Sequence, residues 1–170
     1  ISDPGAILVE AVRGAGYVVV PIPGANALAT ALSASGMQAL PFSFYGFLPV
    51  KSAARRKYLE SIAAQTGALI FYEAPHRVAE CIDDLTSVFG ALRNIVIARE
   101  LTKLFESIHH CKLCEAAAWL AADPNRLKGE FVLIVDGTEA NADATNAEME
   151  RVLVLLLAED LPIKQVAKLA

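Results

Sequence analysis

From Gly14 to Val50 the chain carries no Asp, Glu, Lys, Arg or His. So long an uncharged run belongs in a protein interior or in a bilayer, because charged side chains are the ones almost never fully buried. A membrane span needs about 18 or more consecutive, predominantly apolar residues. Here Pro21, Pro23, Gly24, Gly36 and Pro41 break the run, and Ala, Ser and Thr dilute it. The run therefore reads as sheet and helix interior, part of it covered by chain outside this sequence or by a second subunit. No membrane contact is expected. A mean hydropathy of +0.42 agrees with a chain that has much surface to bury.

The charge that does occur is unevenly placed. Residues 1–110 hold nine Lys/Arg and nine Asp/Glu, whereas 111–170 hold six and ten. The acidic excess thus belongs to the tail, and the net charge of −4 does not exclude an RNA partner for the front. Three cysteines and the lack of a secretory segment favour a reducing cytoplasm. Cys111 and Cys114, next to His109 and His110, offer zinc-type ligands. No second such pair completes a set of four, and Cys114 opens an Ala-rich helical run that should turn it into packing, so no metal is expected. A start at Ile1, without an initiator Met, reads as an N-terminally truncated chain.

Patterning predicts alternating layers. Asp3 caps a helix that Pro4 opens and Gly14 or Gly16 stops. A β-branched strand over 17–21 follows, then a helix over 25–35 ended by Gly36. A strand over 43–47 leads to a helix over 52–65 with Tyr58, Leu59 and Ile62 on its apolar face. Strands are expected over 68–72, 94–98 and 130–136, an edge strand over 104–110, and helices from Pro75 to Phe89 and over 112–122. The fold class is α/β, with some antiparallel pairing in the second half, where connections are short.

Charged groups gather where the apolar strands run out. Phe71-Tyr72-Glu73-Ala74-Pro75-His76-Arg77, Ala98-Arg99-Glu100-Leu101-Thr102-Lys103 and Gly129-Glu130-Phe131-Val132-Leu133-Ile134-Val135-Asp136-Gly137 all have this character. Ligands of open α/β sheets sit at such ends, so the three segments read as one site. An equally economical reading is an ion-pair network, for instance Arg99 with Glu73 or Arg77 with Glu106. Pro23-Gly24 before a helix allows close backbone approach and presents free N–H groups suited to a carboxylate. Lys51, Arg55, Arg56 and Lys57 crowd the first turns of a helix, where cations oppose the helix dipole and RNA phosphate would relieve them.

Together with Ser2-Asp3-Pro4-Gly5 and Pro21-Ile22-Pro23-Gly24-Ala25-Asn26-Ala27, these segments resemble the tetrapyrrole-methylase superfamily of S-adenosylmethionine-dependent enzymes, most closely its members that act on small-subunit ribosomal RNA. The resemblance implies a two-domain α/β fold with the first domain incomplete. Residues 1–42 would be the C-terminal part of the first domain, 43–137 the second domain, 138–147 a linker and 148–170 the start of a small helical tail domain.

It further implies S-adenosyl-L-methionine as cofactor, held by Asn26, Ala27, Glu73, Leu101, Gly129 and Glu130. The implied reaction is 2′-O-methylation of a cytidine ribose in 16S ribosomal RNA by a cytoplasmic homodimer, the fragment alone being inactive. Catalytic candidates are Glu73, His76, Arg99, Glu100 and Lys103, and RNA-binding candidates are Lys51, Arg55, Arg56, Lys57 and Arg77. A porphyrin or corrin methyltransferase, or a non-catalytic RNA-binding or dimerisation module, is the rival reading.

Overall fold

The computed structural model describes residues 5–37 and 41–138. The chain divides into two compact units, 1–137 and 138–170. The expected linker and tail helices, like the Asp3 cap, lie outside the described residues.

Two helices come first, α1 (Gly5–Gly14) and α2 (Ala27–Ala34). There follow β1 (Phe42–Phe47), α3 (Ser52–Ile62), β2 (Ala68–Glu73), α4 (Val78–Phe89), β3 (Asn94–Arg99), β4 (Ser107–Lys112), α5 (Leu113–Ala121), a 3-10 turn (Pro124–Leu127) and β5 (Phe131–Val135). The five strands form one sheet in the order β1-β2-β5-β3-β4. β1 and β2 pair in parallel through the α3 crossover, while β5 runs antiparallel to both β2 and β3 and so lies between them. β3 and β4 form an antiparallel hairpin, which places β4 at the edge, as expected.

Side-chain alternation gives the sheet two different faces. Leu69, Phe71, Ile95, Ile97, Leu133 and Val135 point to one face and pack with Leu59, Val78, Ile82, Leu85, Leu113 and Leu120 of α3, α4 and α5. Each such fully buried side chain contributes about 1.5–3 kcal/mol. Ile70, Val96, Ala98, Val132 and Ile134 point to the other face, where Leu28 and Ala31 of α2 pack on them. The apolar stripe predicted for α4 is buried at Val78, Ile82, Leu85 and Phe89.

Two sequence expectations are corrected here. Residues 17–21 form no strand, because neither edge of the described sheet pairs with them; Tyr17, Val18, Val20 and Ile22 stand exposed, and α1 buries no side chain. The α3 face is also different. Leu59 and Ile62 are buried, but their partner on that face is Arg55, completely buried, while Tyr58 is partly exposed. Arg55 donates from Nε to Asp84 Oδ2 at 2.6 Å, from Nη1 to the Val50 carbonyl at 3.2 Å, and lies 3.3 Å from Glu80 Oε2. It is a cross-link between α3 and α4, with no surface for RNA.

Candidate functional site

The carboxyl ends of β1, β2 and β3 meet the amino end of β5 on one side of the sheet. There a cavity of about 430 Å³ is lined by Ala27, Phe47, Tyr72, Glu73, Ala74, Pro75, Leu101, Glu130, Phe131 and Val132. Four residues expected to hold a cofactor, Ala27, Glu73, Leu101 and Glu130, thus face one space. Asn26 and Gly129 are the chain neighbours of Ala27 and Glu130 and do not line it.

The α2 wall is built by capping. Asn26 is extended (φ −139°) and its Oδ1 accepts from the Ala29 N–H at 3.3 Å, which starts the helix. The Leu28 N–H donates to the Tyr72 hydroxyl at 3.1 Å, tying the helix start to β2. The Leu28 and Ala29 N–H groups, expected to be free for a ligand carboxylate, are therefore already engaged inside the protein. Tyr72 shares the Ile70 face of β2 and meets Phe44 edge-on at 4.8 Å and Phe47 at 5.8 Å. Sequence reasoning missed Phe47, Tyr72, Phe131 and Val132; the period-2 alternation along β2 carried a signal for Tyr72.

The opposite wall is a charged clasp. Lys103 Nζ donates to Glu100 Oε1 at 2.8 Å and to Glu130 Oε2 at 2.9 Å. Glu100 Oε1 also accepts the Glu130 N–H at 2.9 Å, while the Glu100 N–H donates to the Glu130 carbonyl at 3.0 Å. The Lys103 ammonium, then the Glu130 N–H, hold the Glu100 carboxyl below its usual range, and the two glutamates in turn raise Lys103. The pair thus ties the loop after β3 to the start of β5 and shapes this wall. Gly129 takes a positive φ of 92° directly against Glu100, and a side chain there would overlap the Glu100 carboxylate arm.

Glu73 and Arg99 are likewise engaged within the protein. The buried Glu73 accepts from the Ala74 N–H at 2.8 Å and from Arg77 Nη2 at 3.2 Å. Arg77 also donates to the Leu48 carbonyl at 2.7 Å, so it pins the loop after β1 and is largely withdrawn from any RNA surface. Arg99 donates to Ser107 Oγ, at 3.2 Å, and to the carbonyls of Phe105, Asn125 and Lys128, at 3.0, 3.2 and 3.2 Å. Ion pairing does occur, but between Glu73 and Arg77 and within the clasp; Arg99 does not pair with Glu73, and Glu106 accepts from the Thr102 N–H, not from Arg77. His76 is exposed in the turn before α4, next to the cavity-lining Pro75.

Of the basic run, Lys51, Arg56 and Lys57 are exposed. Arg56 nevertheless donates from Nε to Asp84 Oδ1 at 2.6 Å. Cys114 is exposed and does not pack, contrary to expectation, because its position on α5 faces away from the sheet. Burial pushes the Cys111 thiol up to about 11, against thiolate formation. His109 stacks on Trp119 with ring centroids 4.2 Å apart, and Arg126 lies 4.5 Å from the same ring centre. Burial first, then Arg126 and His110, lower the His109 pKa. Among the described residues no three His, Cys, Asp or Glu side chains gather as a metal would require, and no helix is long and apolar enough to cross a membrane.

Known proteins agree with this architecture. The chain is 49% identical over 170 residues to ribosomal RNA small subunit methyltransferase I of Xylella fastidiosa, covering 100% of this chain and 62% of that protein. It is 48% identical over 170 residues to the protein of the same name from Escherichia coli O157:H7, covering 100% and 59%. The chain spans about three-fifths of the length of these relatives. Uroporphyrin-III C-methyl transferase from Thermus thermophilus, solved with S-adenyl homocysteine, superposes with a TM-score of 0.54 at 15% identity, over 80% of this chain and 60% of that one. Residues 1–117 match the family model of the tetrapyrrole (corrin/porphyrin) methylases, and the chain belongs to that family.

Proposed function

We propose that the whole protein, of which this chain is part, transfers a methyl group from S-adenosylmethionine to a cytidine 2′-hydroxyl of small-subunit ribosomal RNA. The observation that carries the reading is the cavity at the carboxyl ends of β1, β2 and β3, shared by Ala27, Glu73, Leu101 and Glu130, in a chain nearly half identical to proteins named for that substrate. The likeness to uroporphyrin methylation supports only the fold.

The residues present fit the cofactor. About 430 Å³ lies within the usual range for a small-molecule pocket, and Phe47, Tyr72, Leu101, Phe131 and Val132 give the apolar walls an adenine ring needs. When bound, the cofactor supplies an electrophilic methyl group on a sulfonium. The chain's own part is to orient both reactants, which is worth up to about 7–11 kcal/mol in such a displacement. Asn26 and Gly129 act indirectly, one by starting α2 and the other by admitting the Glu100 clasp. His76, exposed and outside the ion pairs, is the proton-acceptor candidate. Lys51, Arg56 and Lys57 form the phosphate-binding strip. The same reading places residues 1–42 in the first domain of a cytoplasmic homodimer.

Titrating S-adenosylmethionine into the full-length protein, and mapping methylation of small ribosomal subunits from cells lacking the gene after incubation with that protein and S-adenosylmethionine, tests this. Heat of cofactor binding together with a gained ribose methyl on a cytidine is expected. A silent titration would leave a non-catalytic module, and methylation of a porphyrin in place of RNA would leave the rival enzyme.

A further inference from the structure

Between β3 and β4 the chain makes a loop, 100–106, that is tightly held and yet ends in two bare apolar side chains. Leu104 is 90% and Phe105 67% exposed. Water-facing apolar groups are common singly, but flexible tips usually carry them loosely. This loop is fixed from several directions. The Lys103 N–H donates to the Glu100 carbonyl and the Glu106 N–H to the Lys103 carbonyl, at 3.0 and 3.1 Å. The Thr102 N–H donates to Glu106 Oε2 at 2.6 Å, and Arg99 Nη2 holds the Phe105 carbonyl at 3.0 Å.

Glu100 and Thr102 both sit at positive φ, 51° and 64°. Non-glycine residues are rare there and persist where the surroundings over-determine them, a pattern that clusters at ligand clamps. The same loop supplies Leu101 to the cavity wall and Lys103 to the clasp on Glu130. A ring is thus presented to solvent on a rigid mount continuous with the cavity.

We propose that Phe105, next to Leu104 on this loop, is a stacking platform for a base of the single-stranded RNA that enters the site, acting as a specificity-determining contact. This rests on the RNA methyltransferase reading above. Stacking suits the arrangement because every base has a π face, and a ring whose backbone is already ordered loses little freedom on binding. No bond is made or broken by the platform; it positions.

The test uses the full-length protein with two fluorescein-labelled probes of equal length, an oligocytidylate RNA and its abasic counterpart. Wild-type protein should bind the oligocytidylate about tenfold more tightly, the size of a single base–aromatic stack. Phe105→Ala should erase that preference while leaving abasic affinity and S-adenosylmethionine titration heat unchanged, and Phe105→Trp should retain it. A preference that survives in Phe105→Ala and in the Leu104→Ala/Phe105→Ala pair overturns the platform but leaves the methyltransferase reading standing. The platform is equally overturned if Phe105→Ala changes the sedimenting mass and not the base preference, since the tip would then serve a second copy. Wild-type protein that binds neither cofactor nor RNA ends both.

Discussion

Asp84 shows how one side chain can decide the stability of a layer. It is almost fully buried on α4 and accepts from Ser52, Arg55 and Arg56 of α3. Burial alone would raise its pKa, but the hydrogen bonds from Arg56, Ser52 and Arg55 together outweigh burial and hold it low. A carboxyl lowered on folding adds stability above its unfolded value, near 4, and that stability is lost as pH falls through the folded value. Urea melts of wild type should therefore weaken below about pH 4, more than those of Asp84→Asn. Asp84→Ala at neutral pH should cost about 3–5 kcal/mol, because it strands the buried Arg55 guanidinium. Tyr72→Phe should cost about 1 kcal/mol and speed amide exchange at Leu28, whose N–H loses its acceptor. Arg55 also shows what the sequence did and did not disclose. It shares a helical face with Leu59 and Ile62, yet the sequence reads it as one of a run of surface cations, because its partner lies 29 residues away and becomes visible only when α3 and α4 pack.

At the scale of elements, β-branched runs and glycine stops located all five strands, β4 with a start three residues early, and the helices between them, since each depends on a local pattern. The 17–21 segment has the same local pattern and forms no ladder, because pairing depends on a neighbour and not on propensity. The charged clasp was legible as a cluster and illegible as a network. Glu100, Lys103 and Glu130 come from two segments whose register only β5 pairing sets. Gly129→Ala should make this visible. A side chain there meets Glu100 in a backbone region L residues rarely adopt, so a destabilisation of about 1–3 kcal/mol is expected, with weaker cofactor binding by calorimetry. Lys103→Ala, at a half-exposed site, should alter thermal stability far less while loosening the loop in hydrogen exchange.

For the molecule as a whole, α1 and the uncharged stretch that follows it place Ile7, Leu8, Tyr17, Val18, Val20 and Ile22 in solvent. So many apolar groups in contiguous chain bind hydrophobic dyes and promote self-association. The 170-residue chain should bind anilinonaphthalene sulfonate strongly, and Val18→Lys with Ile22→Lys should reduce both dye fluorescence and light scattering. The order of the sheet has a separate consequence. β5 is the last of the described strands to be made, yet it fills the slot between β2 and β3. On a translating ribosome the earlier strands must wait as two disconnected ribbons, β1 with β2 and β3 with β4, until residue 135 clears the exit tunnel. Nascent chains halted before that point should stay protease-sensitive, and those halted well after it should become resistant together in a single step.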